Sequence, residues 1–381
     1  MNKDKQILIV SDFAYPNYAG GVSKHVYDVF RNMTTLKMPV KLISRAKNKE
    51  NDFAIDDRSI IHDDYNDFHR LDLKIMDLLS FKKMSCMLNY ITNSKILIFH
   101  HPVLGLMLMI LAKMLGKKTV YFFHGPADQE YRAAKGSNTL IIGIKIRFLM
   151  QYFAIKFSDK ILFHSEYMKE KTLRYKPNPS KLKYIPPYVD HDKFNLQPPK
   201  KDIRDSLGIE KDVKLILVTR RLTRRTGVSQ FVEIYKKIRS NLTHDTILWI
   251  GGIGDQYEKI KEMEDDHVKV LGWISEKEIG DYIKSANIYV LPSLDLEGFG
   301  YVILESLACG VTTIVSESAG GGTDFIKQLD QDLVFKFTPK DISKVINYAL
   351  KKIEDKNCKK DMNNFTTTYS LDNLCKYYYQ L

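Results

Sequence analysis

Residues 288–322 read IYVLPSLDLEGFGYVILESLACGVTTIVSESAGGG. Ile288 to Leu291 is a short apolar run that predicts a buried strand, and Pro292-Ser293 ends it. Leu294 to Gly300 is an acidic, glycine-rich loop. Val302, Leu304, Leu307 and Ala308 then fall at helical spacing, with Gly310 as the stop. Thr312 to Val315 predicts the next strand. Strand, loop, helix and strand in that order make one unit of a parallel α/β sheet. Such sheets bind ligands in the loops at the carboxyl ends of their strands.

Two carboxylates belong to this unit. Glu297 lies in the loop, and Glu305 follows Tyr301 by one helical turn, about 6 Å along the axis. Unbonded N–H groups between Gly298 and Val302 favour an anion, and Gly298 and Gly300 let a ligand approach the main chain. A carboxylate accepts two hydrogen bonds from a vicinal diol. The set suits a ligand that carries a sugar, a diphosphate and a ribose; it also reads as an ordinary loop turn followed by a solvated glutamate.

The run E-G-F-G-Y-V-I-L-E (Glu297–Glu305), followed by A-C-G and by Gly320-Gly321-Gly322, resembles the E-x7-E element of retaining GT-B glycosyltransferases, in particular glycosyltransferase family 4. The resemblance implies two doubly wound, Rossmann-like α/β domains with a cleft between them. It predicts a first domain over 1–195, a nucleotide-sugar-binding domain over 196–364, and a final helix over 365–381 that packs back on the first.

Composition agrees with two domains. The chain has 381 residues, 44% of them hydrophobic, enough for two cores of ordinary size. Its longest apolar run, Val103 to Ala112, is too short for a bilayer, which needs about 20 residues. The start, MNKDKQILIVSDF, lacks the shape of a secretory signal. The four cysteines show no paired spacing, which predicts a reduced, cytoplasmic setting with no cysteine metal site. Residues 1–195 carry 31 Lys+Arg against 19 Asp+Glu, whereas 196–381 carry 27 of each. Within the first half, residues 131–183 hold 12 basic and 3 acidic residues, a balance of +9. A localised basic field implies an anionic partner.

The rest of the chain extends the pattern. Ile7 to Val10 predicts the first strand, and Gly20-Gly21 precedes a helix marked by Val22, Val26, Val29, Phe30 and Met33. Gly-Gly between strand and helix can admit a phosphate. The resemblance sets it beside the donor's phosphates, and His25 matches a frequent family histidine. Residues 96–99 and 119–123 predict strands around an apolar helix from Leu104 to Leu115. The second of these strands runs into His124, which the resemblance brings near the reacting sugar. Asp128, Glu130, Tyr131 and Arg132 read as a polar loop, with Tyr131 and Arg132 as acceptor contacts. The acidic cluster Asp56, Asp57, Asp63, Asp64 and Asp67 reads as a solvated loop. Asp190-His191-Asp192 is formally a D-x-D, the metal motif of GT-A enzymes, but it falls in the family's linker pattern and is not taken as a metal site.

In the second half, a strand at 215–219 exits into RRLTRRTG (220–227). Guanidinium groups pair bidentately with phosphate oxygens. The family pattern is G-R-L-x-x-x-K-G: Arg221 falls on its arginine and Thr226 on its lysine. The second phosphate-binding cation is then Arg225, or Arg224, or missing. Strands at 247–254 and 268–274 follow, and the resemblance gives Trp273 and Ile274 to the nucleobase, by their backbone.

The resemblance therefore implies a metal-independent, retaining glycosyltransferase without a resident cofactor. Its donor would be a nucleotide sugar and its acceptor a saccharide or a lipid-linked saccharide, in bacterial polysaccharide or lipopolysaccharide assembly. Catalytic roles fall to His124, Arg221, Arg225 and Glu297. Donor contacts fall to Gly20, Gly21, Trp273, Ile274, Gly298, Phe299, Gly300, Tyr301, Val302 and Glu305. The basic stretch 131–183 suits an anionic membrane surface. A sugar-nucleotide epimerase and a catalytically silent partner protein share these features. A nucleic-acid partner is set aside, because no nucleic-acid motif accompanies the basic residues.

Overall fold

A computed structural model describes residues 6–12, 14, 20–45, 70–73, 81–135, 140–201, 203–206, 208–210 and 212–381. The aspartate cluster at 56–67 lies outside them. The chain forms two compact units, residues 1–186 with 371–381, and residues 187–370. The expected boundaries lay after residues 195 and 364. The stretch 187–194 joins the second unit because Val189 donates its N–H to the Tyr369 carbonyl at 2.7 Å and Phe194 is buried in that unit's core.

The first unit is a seven-stranded parallel sheet. Its strands are β1 (Ile7–Ser11), β2 (Val40–Arg45), β3 (Arg70–Leu73), β4 (Ile96–Phe99), β5 (Lys118–Phe122), β6 (Lys160–Phe163) and β7 (Leu182–Tyr184), in the order 3-2-1-4-5-6-7. The helices are α1 (Gly21–Thr35), α2 (Phe81–Asn93), α3 (Pro102–Met114), α4 (Ala127–Lys135), α5 (Ile141–Phe157) and α6 (Glu166–Leu173). Every residue of β1 and β4 is buried, as expected of central parallel strands covered on both faces.

The second unit repeats the plan with six parallel strands: β8 (Lys214–Thr219), β9 (Thr246–Gly251), β10 (Val268–Gly272), β11 (Ile288–Leu291), β12 (Thr312–Ser316) and β13 (Val334–Phe335). Their order is 10-9-8-11-12-13. Its helices are α7 (Ile203–Ser206), α8 (Val228–Ile238), α9 (Tyr257–Lys261), α10 (Ile279–Ser285), α11 (Val302–Ala308), α12 (Gly321–Leu329), α13 (Pro339–Lys352) and α14 (Cys358–Thr366). Each sheet reverses its winding once, between β1 and β4 and between β8 and β11. In doubly wound sheets that switch point is where a crevice opens for ligand.

Two expectations are corrected. Residues 127–135 are helical, not a polar loop: the Glu130 N–H bonds to the Pro126 carbonyl at 2.9 Å, and Asp128 and Glu130 in the first turn suit a helix N-terminus. The expected single helix over 365–381 is interrupted where Tyr369 and Ser370 pair with Val189. The last helix, α15, starts at Leu371 and ends at Gln380. It packs on α1 of the first unit: Asn32 donates to Asp372 at 2.8 Å, and the Tyr378 hydroxyl meets His25 Nε2 at 3.2 Å.

Candidate functional site

At the second unit's switch point, β8 and β11 deliver two loops that touch. The turn Arg220–Gly227 is pinned by its backbone: Arg220 N–H to Gly251 O (3.0 Å), Leu222 N–H to Ile253 O (2.9 Å), and Leu294 N–H to Arg225 O (2.8 Å). Glycine is required where these loops meet. Gly227 has φ +70°, and a Cβ there would lie 1.9 Å from the Pro292 carbonyl oxygen. Gly252 has φ +131°, and its Cβ would lie 1.8 Å from the Arg220 carbonyl oxygen.

This contact brings the arginines to the carboxylate. Arg220 forms an ion pair with Glu297, their side chains only 14% and 12% exposed, and Glu297 also accepts the Ser293 hydroxyl at 3.1 Å. Arg225 reaches to 3.5 Å from the Leu296 carbonyl, whereas Arg224 is exposed. Arg221 touches solvent, yet the protein packed around its guanidinium and the nearby Arg225 push its pKa below the ordinary value, with Asp255 opposing. Crowded cations of this kind gain from an incoming anion. Thr226 is buried, its hydroxyl 2.8 Å from Arg221 O and 2.7 Å from Thr223 O. It clasps the turn and leaves no room at that position for a cation.

The rest of the E-x7-E element presents main chain more than side chain. Phe299 is buried against Phe325, with ring centroids 5.0 Å apart. Tyr301 leans on Tyr188, centroids 5.1 Å apart, and Val302 is buried. What Gly298 to Val302 offers a ligand is therefore backbone. Helix α11 has seven residues, so its dipole is short and the amides matter more than the axis. Glu305 is half-buried one turn on. Trp273 is exposed past the end of β10, and Ile274 lies over Gly251.

The first unit gathers histidines at its own switch point. His100 follows β4, His124 follows β5, His164 follows β6, and His25 comes from α1. His100 Nδ1 is 2.8 Å from His124 Nε2. The His25 ring lies 5.3 Å from those of His100 and His124 and 5.5 Å from that of His164, centroid to centroid. Burial and then mutual proximity hold His25, His100 and His124 well below the ordinary imidazole range; burial takes His164 down to about 4, against a bond to the Ile185 carbonyl. Gly20 and Gly21 start α1 with no side-chain cap.

The segment after His124 is fixed by buried Gln151. Its amide accepts from the Ala127 N–H (2.8 Å) and the Tyr175 hydroxyl (2.6 Å), and donates to Gly125 O (2.8 Å) and the Tyr121 hydroxyl (3.0 Å). Tyr131 and Arg132 stand on α4, with the Arg147 guanidinium stacked 3.8 Å from the Tyr131 ring centre. Asp190 bonds the N–H groups of Asp192 and Lys193 at 3.0 and 3.3 Å, so the D-x-D is a turn of the linker.

Sequence reasoning missed Gln151, His100 and His164, and it read Arg220 only as part of the basic turn, without its pairing to Glu297. Arg220, His100 and His164 carried a usable signal, since each directly follows a strand. Gln151 carried none: one amide inside a basic, apolar helix is visible as a hub only in three dimensions.

Residues 199–365 match the family described as Glycosyl transferases group 1, and residues 19–193 match Glycosyltransferase Family 4. An uncharacterized glycosyltransferase of Methanocaldococcus jannaschii is 28% identical over 242 residues, 60% of this chain and 60% of that protein. The Amylovoran biosynthesis glycosyltransferase AmsK of Erwinia amylovora is 30% identical over 145 residues, 35% of this chain and 33% of that protein. The gpi3 component of the Schizosaccharomyces pombe phosphatidylinositol N-acetylglucosaminyltransferase is 24% identical over 82% of this chain and 66% of its own length. The chain thus spans about 60% or less of the length of the first and second of these relatives. Among solved structures, Anabaena Alr3699/HepE in complex with UDP and glucose superposes with a TM-score of 0.71 at 13% identity, covering 99% of this chain and 98% of that one. That likeness is one of fold.

Proposed function

We propose, starting from the fact that this chain belongs to the group 1 and family 4 glycosyltransferases, that it moves a sugar from a nucleotide-sugar donor to a saccharide or lipid-linked saccharide, with retention at the anomeric carbon. The observation that carries this reading is the meeting of the Arg220–Arg225 turn with Glu297 at the β8/β11 switch point.

Breaking the bond between the anomeric carbon and the diphosphate oxygen leaves negative charge on the phosphate and positive charge on the sugar. Arg221 and Arg225 take the phosphate, preorganised by the pinned turn. Arg225 is preferred to Arg224 because it already points at the Glu297 loop. Glu297 opposes the cationic sugar and orients its hydroxyls. Backbone N–H groups from Gly298 to Val302 hold donor oxygens, Glu305 takes the ribose diol, and the main chain at Trp273-Ile274 meets the base. His124 is assigned to the transferred sugar, Gly20-Gly21 to the donor phosphates, and Tyr131 and Arg132 to the acceptor. Guanidinium groups neutralise the leaving group, so the transfer step needs no metal.

The acceptor side is argued from the surface. Leu140, Ile141 and Ile142 are 64%, 72% and 66% exposed, and Ile146, Leu149, Phe153 and Phe157 on the same helix α5 also face water. Lys145, Arg147 and Lys156 stand among them. Exposed apolar residues interleaved with basic ones suit the surface of an anionic membrane. Among the described residues no helix is long and apolar enough to cross one. We therefore assign a peripheral position on the cytoplasmic face, where a lipid-borne polysaccharide or lipopolysaccharide precursor is extended. The yeast relative's name, with its phosphatidylinositol acceptor, supports a lipid-borne acceptor class.

The test pairs calorimetry with turnover over a panel of nucleotide sugars. Glu305→Ala is expected to lose donor affinity. Glu297→Ala loses turnover more than affinity. Arg225→Ala costs about 2–4 kcal/mol of transition-state stabilisation, with Arg224→Ala near neutral. Small, equal effects at both glutamates would remove the site. Sedimentation with anionic vesicles at low salt, and release at high salt, checks the surface; indifference to anionic vesicles would turn the search to soluble acceptors.

A further inference from the structure

We propose that His25, His100 and His124 form a binding site for one zinc-class divalent metal ion in the first unit. Each residue offers a ring nitrogen, and the three nitrogens lie within 4.8 Å of one another. Among the described residues this is the one group of histidine, cysteine and carboxylate side chains so arranged.

The chemistry of the set selects the ion. All three donors are imidazoles, which suit zinc, copper(II), cobalt and nickel. Magnesium and calcium demand oxygen ligands, and none belongs to the group. Metal binding requires neutral imidazole. Burial and mutual proximity keep these rings neutral at ordinary pH, so binding requires a change of tautomer in the hydrogen-bonded His100–His124 pair and no net loss of a proton.

One pair of donors stands near the spacing an ion needs, and the third lies within 4.8 Å of both. Zn–N bonds of about 2.0–2.1 Å in a tetrahedron separate two nitrogens by roughly 3.3 Å. His100 Nδ1 and His124 Nε2 stand 2.8 Å apart, so those two rings need only a small spread. The donors are anchored by stiff elements: His100 and His124 just beyond the ends of the paired strands β4 and β5, and His25 in the second turn of α1. His100 is 2% exposed, and its Nε2 has no hydrogen-bond partner. A buried polar nitrogen left unbonded is uncommon; here it is the nitrogen opposite the Nδ1 that faces His124, so no hydrogen bond at Nε2 holds the ring against the spread that an ion requires. Three protein donors also leave a coordination position open.

Binding at this site would engage His124, which the proposed transfer reaction uses, so zinc would inhibit transfer. That consequence rests on the proposed function; the site itself does not. The experiment therefore reads metal directly. The full chain, stripped with chelator and dialysed, is titrated with zinc against a chromophoric competitor and with cobalt(II) in the visible spectrum. One equivalent of zinc, a four-coordinate cobalt spectrum and a zinc-dependent rise in Tm are expected. His100→Gln and His124→Asn should each weaken zinc by at least the about 10–100-fold lost on removing a mere outer partner of a ligand. Circular dichroism shows whether each variant folds; if neither does, the wild-type stoichiometry and cobalt spectrum decide. Failure to compete with the chromophore, an octahedral cobalt spectrum, or undiminished binding in both folded variants would overturn the site. One bound zinc without inhibition would leave the site standing and remove His124 from transfer.

Discussion

Arg220 and Glu297 should be energetically coupled, and the coupling can be isolated. Their side chains are 14% and 12% exposed, and the carboxylate also accepts the Ser293 hydroxyl. Arg220→Gln leaves Glu297 charged with little more than that neutral bond. Losing one partner of a buried pair costs about 3–5 kcal/mol, and the residual access to water puts this case near the lower end. Glu297→Gln is milder, about 1 kcal/mol, because the amide oxygen still accepts from Arg220. With both replaced, no buried charge is stranded, and the double variant should cost about 2 kcal/mol instead of the additive 4, a coupling of about 2 kcal/mol. The assay is urea unfolding followed by tryptophan fluorescence. The chain has two tryptophans, Trp249 and Trp273, and both lie within 187–370, so the signal follows the second unit by itself and avoids averaging over two units. Additivity within about 0.5 kcal/mol would refute the argument and reduce the pair to a passive contact.

Three further outcomes follow from particular contacts. Thr226→Lys restores the family's residue but removes a buried hydroxyl that bonds Arg221 O and Thr223 O; it should destabilise by about 1–3 kcal/mol and leave donor affinity no better, and a stable variant with tighter binding by calorimetry would contradict this. Gly227→Ala meets both a left-handed φ and the Pro292 carbonyl, so it should lose more than about 1–3 kcal/mol in the same urea assay; an unchanged midpoint would mean that the two loops do not approach as described. Gln151→Leu leaves the Ala127 N–H and the Gly125 carbonyl without their partner and should cost about 3 kcal/mol or more, with faster proteolysis after His124; unaltered protease resistance would show that Gln151 is not what holds that segment.

The fold was legible because parallel strands covered on both faces must be written as continuous apolar runs. Ile96–Phe99 and Ile288–Leu291 were read from sequence with the bounds they have in the structure. Boundaries set by pairing were not legible. Val189 belongs to the second unit through burial in its core and a backbone bond to Tyr369, a partner far along the chain that no local pattern announces. Residues 127–135 misled for a related reason: Asp128, Glu130 and Arg132 look like a polar loop, yet Asp128 is buried and paired with Arg174 at 2.9 Å, with Tyr175 donating to it at 3.1 Å. Of the candidate site, the stretch Glu297–Glu305 was singled out by its resemblance to the E-x7-E element, and the arginine turn by its four guanidinium groups at a strand exit. The pairing of Arg220 with Glu297 depends on the strand order 8-11, which brings together segments far apart in the chain.

The missing lysine shows how the two levels constrain each other. Spacing alone makes Thr226 a loss of positive charge. The structure gives that position a buried hydroxyl that closes the turn, and the charge stands elsewhere, on Arg220 against Glu297 and on Arg225 beside Leu296. A lysine reaches a phosphate as a flexible point charge, whereas a guanidinium presents a fixed fork. If Arg225 is the second cation, as proposed, its place at 225 in place of 226 exchanges reach for direction. Arg225 is in any case tied to the loop that carries Glu297, through the Leu294 N–H bond to Arg225 O at 2.8 Å. On the proposed reading, a donor that engages Arg225 would adjust the Glu297 loop as well, so that charge on the leaving phosphate and orientation of the carboxylate would be set by one mechanical connection. Cutting that connection while keeping both side chains, by Leu294→Pro, removes the N–H that makes it. It should lower turnover by about tenfold, about 1.4 kcal/mol, with donor affinity nearly intact. Unchanged turnover in that variant would show that Arg225 and Glu297 act independently.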